Sequence, residues 1–280
     1  MNTTIQPHTQ RNVNFKKARN YTFWILGTSW TIGFVLYNTL DISNIIYKAV
    51  IELTLAFMPA IIAFIMNKKE GGNWKSLQFI KPSLKGILLA IGIPFLYVVC
   101  DFYIQIHLGF RTTPDWALLG STVQLLLTIV LGYLAMVILV MGEEIGWRGY
   151  LQGKLFGAFG EMKGVFILGL IWGLWHLPVA LKGYLFPSYP YIEAFVTYPL
   201  ACIAFSLIIA YIGFHKYSIF IAACLHAANN YFKATLIGIT EVTDEFGFLL
   251  ISNFVCIDLI LIFTFLYWRK LKNKRSLVGK

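Results

Sequence analysis

Eight apolar runs, most of them about 17–25 residues long, divide the chain, and that is the length a helix needs to cross a bilayer. They lie near 21–37, 49–67, 86–105, 118–145, 164–181, 192–214, 218–233 and 246–268. Backbone N–H and C=O groups in lipid must be satisfied internally, by helices or closed barrels, and runs this long fit helices. The chain is therefore expected to be an all-α polytopic membrane protein of about eight transmembrane helices. Composition agrees: 58% of residues are hydrophobic, 13% are charged, and the mean hydropathy is +0.69. A soluble domain is nearer about half apolar and a quarter charged. The first run follows a polar, basic leader and shows no small-residue cleavage site, so it reads as a retained helix rather than a signal peptide.

The net charge of +10 would suit a nucleic-acid partner if it were clustered, but it is sorted by loop. With the N-terminus inside, nineteen Lys and Arg residues fall on inner segments and four on outer ones, namely Lys48, Arg111, Lys182 and Lys233. That is the positive-inside pattern of a multi-pass cell-membrane protein with both termini cytoplasmic. No nucleic-acid role is expected. The polybasic tail, residues 269–280, is expected to rest against anionic lipid headgroups.

Cys100, Cys202, Cys224 and Cys256 all fall within apolar runs and none has CxxC spacing, so they read as small apolar fillers. No repeat, low-complexity tract or long linker divides the sequence. Residues 1–280 are read as one membrane domain, with residues 1–19 a polar, mobile cytoplasmic leader.

Ionisable groups at membrane depth are costly and each needs a reason. Glu52, Asp101, Glu193 and Asp258 stand alone and read as interfacial or hydrogen-bonded interior groups. Three other places are not isolated. The stretch MVILVMGEEIGWRGYL, residues 136–151, ends an apolar run on two adjacent glutamates. Glu144 and Arg148, four apart, share a helix face and can pair. Glu143, rotated by about 100°, is left to face elsewhere, and two close carboxylates disfavour double ionisation. Alone, the stretch fits a solvated helix end equally well.

The second place is Trp172-Gly173-Leu174-Trp175-His176, where Trp172 and His176 share a face. Gly169 and Gly173 form a GxxxG that admits a close neighbouring helix. The third is His226-Ala227-Ala228-Asn229-Asn230, in which His226 and Asn230 present an imidazole and an amide together. Each of these is, by itself, more often structural. Together, one glutamate, two histidines and an asparagine from three helices supply what amide hydrolysis needs: groups that activate water and donors for a tetrahedral oxyanion, enclosed inside the bundle.

The ordered set EExxxR, aromatic-xxx-H and HxxxN on successive helices resembles the CAAX-protease and bacteriocin-processing family. Its eukaryotic and archaeal members include the type II CAAX prenyl endopeptidases, or Ras-converting enzymes. The resembling core covers residues 118–232, and Trp172 stands where the family often has phenylalanine. The resemblance implies an intramembrane glutamic endopeptidase. Carried over by motif position, Glu143 is the general base, His176 helps to hold and polarise the water, and His226 with Asn230 forms the oxyanion hole. Glu144 and Arg148 act as an orienting ion pair, with Trp172 beside His176. Two histidines and a glutamate can also ligate zinc, but HExxH is absent and asparagine is a poor zinc ligand, so a site without metal or cofactor is expected.

A helix begun at Leu118 would place Glu143 about 37 Å along it, beyond a hydrocarbon core of about 30 Å. The helix is thus expected to start later, to tilt, or to continue past Glu143, with the site opening toward the cytoplasm. Besides a protease acting on a membrane-associated peptide or protein, two other readings are carried: a non-enzymatic immunity or sorting protein binding a peptide partner, and a small-solute transporter. The motif set favours the protease. The substrate is open among prenylated CAAX tails, bacteriocin leaders and signalling-peptide precursors.

Overall fold

The computed structural model describes residues 7–213 and 217–278; residues 1–6 of the leader, residue 214 at the end of the sixth apolar run, Lys216, and residues 279–280 of the tail lie outside them. Among the described residues there is no β-strand, only an isolated bridge between Arg111 and Val242. The protein is an all-α membrane protein. Its helices are α1 (Pro7–Thr39), α2 (Ile45–Lys69), α3 (Leu84–His107), α4 (Thr122–Glu144), α5 (Gln152–Phe159), α6 (Glu161–Trp175), α7 (Leu177–Ala180), α8 (Pro190–Ile192), α9 (Tyr198–Ile212), α10 (Ile219–Gly238) and α11 (Glu245–Val278). Two π-helical segments interrupt the regular pattern, Ile145–Leu151 between α4 and α5 and Glu193–Thr197 before α9.

The eight apolar runs all fall on this framework. Five rods are apolar and long enough to cross a membrane: Ile45–Lys69, Leu84–His107, Ile129–Phe159, Pro190–Ile212 and Glu245–Lys274. The others depart for identifiable reasons. The helix α1 has a polar first third, α6 is only 15 residues long, and α10 carries His226, Asn229 and Asn230 among its apolar residues. The polar leader is not loose: it is helical from Pro7, continuous with the first apolar run. Side-chain anchors hold it, with Arg11 Nε donating to the Ala158 carbonyl at 2.8 Å and Lys17 Nζ to Glu70 at 2.9 Å.

Capping chemistry sets the ends. Asn44 accepts from the backbone N–H of Ile46 at the start of α2, Ser83 accepts from Gly86 at the start of α3, and Asp244 accepts from Phe246 and Gly247 at the start of α11. Each supplies an acceptor for donors that a helix leaves without partners. Pro178 breaks the helix after α6, because its ring offers no N–H to the Leu174 carbonyl, which accepts from Trp30 Nε1 at 3.0 Å instead. Gly160, at φ +80°, makes the reversal from α5 to α6 that a side chain would resist.

The GxxxG of α6 packs on α9. A Cβ built on Gly173 would stand 2.5 Å from Pro199 Cα, and one on Gly169 would stand 2.5 Å from Ile203 Cα. Backbone sits against backbone, so neither helix can yield locally. Gly173→Val is therefore expected to destabilise the protein by about 1–3 kcal/mol, the usual cost of overpacking. Thermal unfolding in detergent measures this, and an unchanged midpoint would refute the close approach.

At the basic end of the bundle one carboxylate gathers four elements. Glu70, at the end of α2, accepts from Lys17 of α1, from Lys154 of α5 at 3.0 Å, and from the Tyr150 hydroxyl of the π segment. Burial pushes its carboxyl up, but the hydrogen bonds from Tyr150, Lys17 and Lys154 outweigh it and hold the group below its ordinary range. A carboxyl depressed by folding contributes stability that is full above its unfolded pKa and is lost as pH falls through the folded one. Wild type is thus expected to melt above Glu70→Gln at neutral pH, with the gap closing in acid. A gap independent of pH would contradict this.

Candidate active site

The two glutamates sit where α4 passes into the π segment. The helical rod does not stop at Glu144 but runs on through Leu151 into α5, which resolves the length problem. Glu143 lies about 31 Å along α4 from Thr122 at 1.5 Å per residue, and the helical rod continues beyond it to Phe159. A π segment takes i→i+5 hydrogen bonds and is commonly found at functional sites. Close approach of α2 fixes this stretch sideways. A Cβ on Gly142 would stand 2.5 Å from the Ala56 carbonyl oxygen, and Gly146 lies against Tyr21 and Pro59.

The two carboxylates have different partners. Glu144, fully buried, accepts from Arg148 Nη1 at 3.0 Å, and its same Oε1 lies 3.0 Å from His226 Nδ1. Arg148 also donates to Ser206 Oγ of α9 at 3.1 Å and stacks over the Trp172 ring at 4.2 Å. The expected pair is thus a triad tying the π segment to α10, with α9 and α6 behind it. Glu143, 8% exposed, points the other way and accepts from the Trp172 indole N–H at 2.8 Å.

Trp172 connects the parts. Its indole holds Glu143, while its main-chain carbonyl lies 2.9 Å from His176 Nδ1. His176 occupies the joint between α6 and α7, with φ −75° and ψ 0°. It stacks on Tyr198 with ring centroids 4.3 Å apart, and the Trp175 ring meets it edge-on at 4.8 Å. A carbonyl can only accept, so Nδ1 carries the proton and Nε2 is left as an acceptor in the neutral ring. The His226 ring lies edge-on to Trp172 at 5.1 Å, which brings both imidazoles around one indole.

Asn230 is held by a chain of bonds. Tyr97 of α3 donates its hydroxyl to Asn229 Oδ1 at 2.7 Å, and Asn229 Nδ2 donates to Asn230 Oδ1 at 2.9 Å. The oxygen of Asn230 is thereby engaged, and its amide nitrogen is the end that can donate to a substrate.

The structure accordingly brings Glu143, Glu144, Arg148, Trp172 and His226 into direct contact, sets His176 one turn beyond Trp172, and places Asn230 one turn beyond His226. Tyr97, Asn229, Ser206 and Tyr198 were not anticipated. Asn229 had a signal, adjacency to Asn230, but nothing in the sequence marks Tyr97 or Ser206. The isolated acids are bonded within the bundle or lie at its surface. Glu193 accepts from the backbone N–H of Leu185 and Phe186, Asp101 from Gln105, and Glu52 sits 3.9 Å from Lys48, while Asp258 is exposed.

Residues 122–232 match the family model described as type II CAAX prenyl endopeptidase Rce1-like. That segment runs from the start of α4 into α10 and contains all three motifs. Over that segment the chain is similar to the type II CAAX prenyl endopeptidases. None of the curated proteins matches the chain.

Proposed function

We propose that this chain is an intramembrane endopeptidase that cleaves a membrane-associated peptide or protein with a water activated by Glu143. The observation that carries the reading is the division of labour between adjacent carboxylates. Glu144 is neutralised by Arg148 and bonded to His226, whereas Glu143 accepts from the Trp172 indole N–H and pairs with no lysine or arginine among the described residues. An acceptor oxygen at Glu143 and the Nε2 acceptor of His176 can together hold a water.

In the proposed step the water oxygen bonds to the scissile carbonyl carbon while its proton passes to Glu143. The oxyanion accepts from Asn230 Nδ2 and from His226 Nε2. His226 Nδ1 donates to the Glu144 carboxylate, so donation from Nε2 uses the ring with both nitrogens protonated. Glu143 then returns the proton to the leaving nitrogen as the C–N bond breaks. Donors fixed in a water-poor site act without reorganising, which is where such stabilisation is largest.

Among the described residues no three His, Cys, Asp or Glu side chains converge to hold a metal ion, and no step is routed through one. Cleavage is expected to survive EDTA and 1,10-phenanthroline unchanged; loss restored by added zinc would overturn this part. The catalytic core is read as residues 118–232, with the polybasic tail against anionic headgroups of the cell membrane and both termini cytoplasmic. With most basic residues on the loops read as inner, the peptide is read as reaching the site from the cytoplasmic side.

The test is Glu143→Ala and His176→Ala in purified, detergent-solubilised protein against a prenylated peptide ending in a CAAX box. Comparative peptidomics of cells with and without the Glu143 carboxylate finds the natural substrate. Activity retained in both folded variants would sink the protease reading and favour a peptide-binding role.

A further inference from the structure

The face of α3 that meets α10 is polar from the candidate site almost to the end of the bundle. Tyr97, Asp101 and Gln105 follow one another at four-residue spacing and are all buried, so they form one stripe. Tyr97 is bonded to Asn229 and through it to Asn230. One turn further, Asp101 accepts from Gln105 Nε2 at 2.6 Å and from Ser252 Oγ of α11 at 3.5 Å, and it feels the charges of Lys233 and Arg111. At the far end Arg111 is bonded to Thr240 and held between the Phe102 and Phe248 rings.

A static polar network would close on itself, but this one does not. Among the described residues, Gln105 Oε1 and Arg111 Nη1 at its far end are buried without a hydrogen-bond partner, as are Glu144 Oε2 and Arg148 Nε at the candidate site. Buried polar groups left open in this way are the usual hosts of internal water. A site deep in the bundle that performs hydrolysis also consumes one water per turnover, and Glu143, Glu144 and His226 are all shut from solvent. Toward the basic end, the cavity beside Arg148 has about 10 Å³ of space and is lined by Gln78, Tyr217 and Ser218 as well as Ile209, Ile219 and Ile221. That is room for about one water and no more.

The geometry points to the seam between α3, α10 and α11 as a hydrated path that delivers water from the Arg111 end of the bundle to Asn230 in the candidate active site. Its purpose rests on the hydrolytic reading above, but its hydration does not. Water held along the seam keeps Tyr97, Asp101 and Gln105 solvated at a depth where lipid would not.

X-ray hydroxyl-radical footprinting of the full chain in lipid nanodiscs tests the path, because radicals formed from internal water oxidise the side chains beside it. Tyr97 is expected to be oxidised several-fold faster than Tyr21, a buried tyrosine whose hydroxyl is bonded to the Pro59 carbonyl outside the seam. Gln105→Leu is expected to bring Tyr97 down to the rate of Tyr21; should that variant fail to fold, Ser252→Ala is the second arm and is expected to lower the rate. Equal rates for Tyr97 and Tyr21 in the wild type, or a Tyr97 rate untouched by a folded seam variant, would overturn the proposal. An oxidised Tyr97 in a chain that cleaves nothing would sustain the path and remove the protease, whereas cleavage with a dry Tyr97 would do the reverse.

Discussion

Glu143→Gln is expected to lower the rate of peptide cleavage by about 10²–10⁴-fold, the range contributed by a positioned general base, with little change in fold. The glutamine keeps a carbonyl oxygen that accepts from the Trp172 indole, now 2.8 Å from the carboxylate, so the bridge between Glu143 and His176 survives. What it loses is the capacity to take a proton from water and return it to the leaving nitrogen. The fall is therefore expected in kcat, with KM nearly constant, because no substrate-binding contact is removed. Steady-state kinetics on a cleaved peptide, paired with an unfolding curve, separates the two. A folded Glu143→Gln protein with wild-type kcat would exclude Glu143 as the base.

Arg148→Met acts on stability instead. Arg148 is 4% exposed and its partner Glu144 is fully buried, so removing the cation leaves a carboxylate in the bundle bonded to His226 but to no arginine. Breaking a buried pair from one side costs about 3–5 kcal/mol, because the remaining charge keeps its desolvation penalty. The loss here also includes the bond to Ser206 and the stacking over Trp172. Denaturant or thermal unfolding in detergent reads the effect. Adding Glu144→Gln to Arg148→Met is expected to recover part of it, since the orphaned charge then disappears. Equal stability of Arg148→Met and wild type would show that the pair does not hold these helices.

Much of this was legible because it is local. Apolar runs of bilayer length gave the helices, the four-residue spacing of Glu144 and Arg148 gave the pair, and Gly169 with Gly173 gave the close approach of a neighbour. The fate of Glu143 was half legible: the 100° rotation turns it away from Glu144's partner, but only the fold supplies the indole of Trp172. The rest depends on contacts between distant segments. Tyr97 reaches Asn229 across 132 residues, and His226 reaches Glu144 across 82; no periodicity encodes either. The leader misled because polarity was read as looseness, whereas Arg11 and Lys17 find partners on α5 and at the end of α2. The π segment left no trace, since its residues are equally compatible with an α-helix.

That wider coil between Ile145 and Leu151 makes the rod behave as a splice with one phase setting. Shortening it by a single residue would let the backbone relax to ordinary pitch with little net rotation downstream, because i→i+5 bonding already absorbs about one extra residue per turn. The change would fall inside the segment, where Arg148, now on Glu144, and Tyr150, now on Glu70, would shift face while local helicity stayed intact. Chain length in these seven residues, more than their identity, sets the angular alignment of the reactive acid with its clamp.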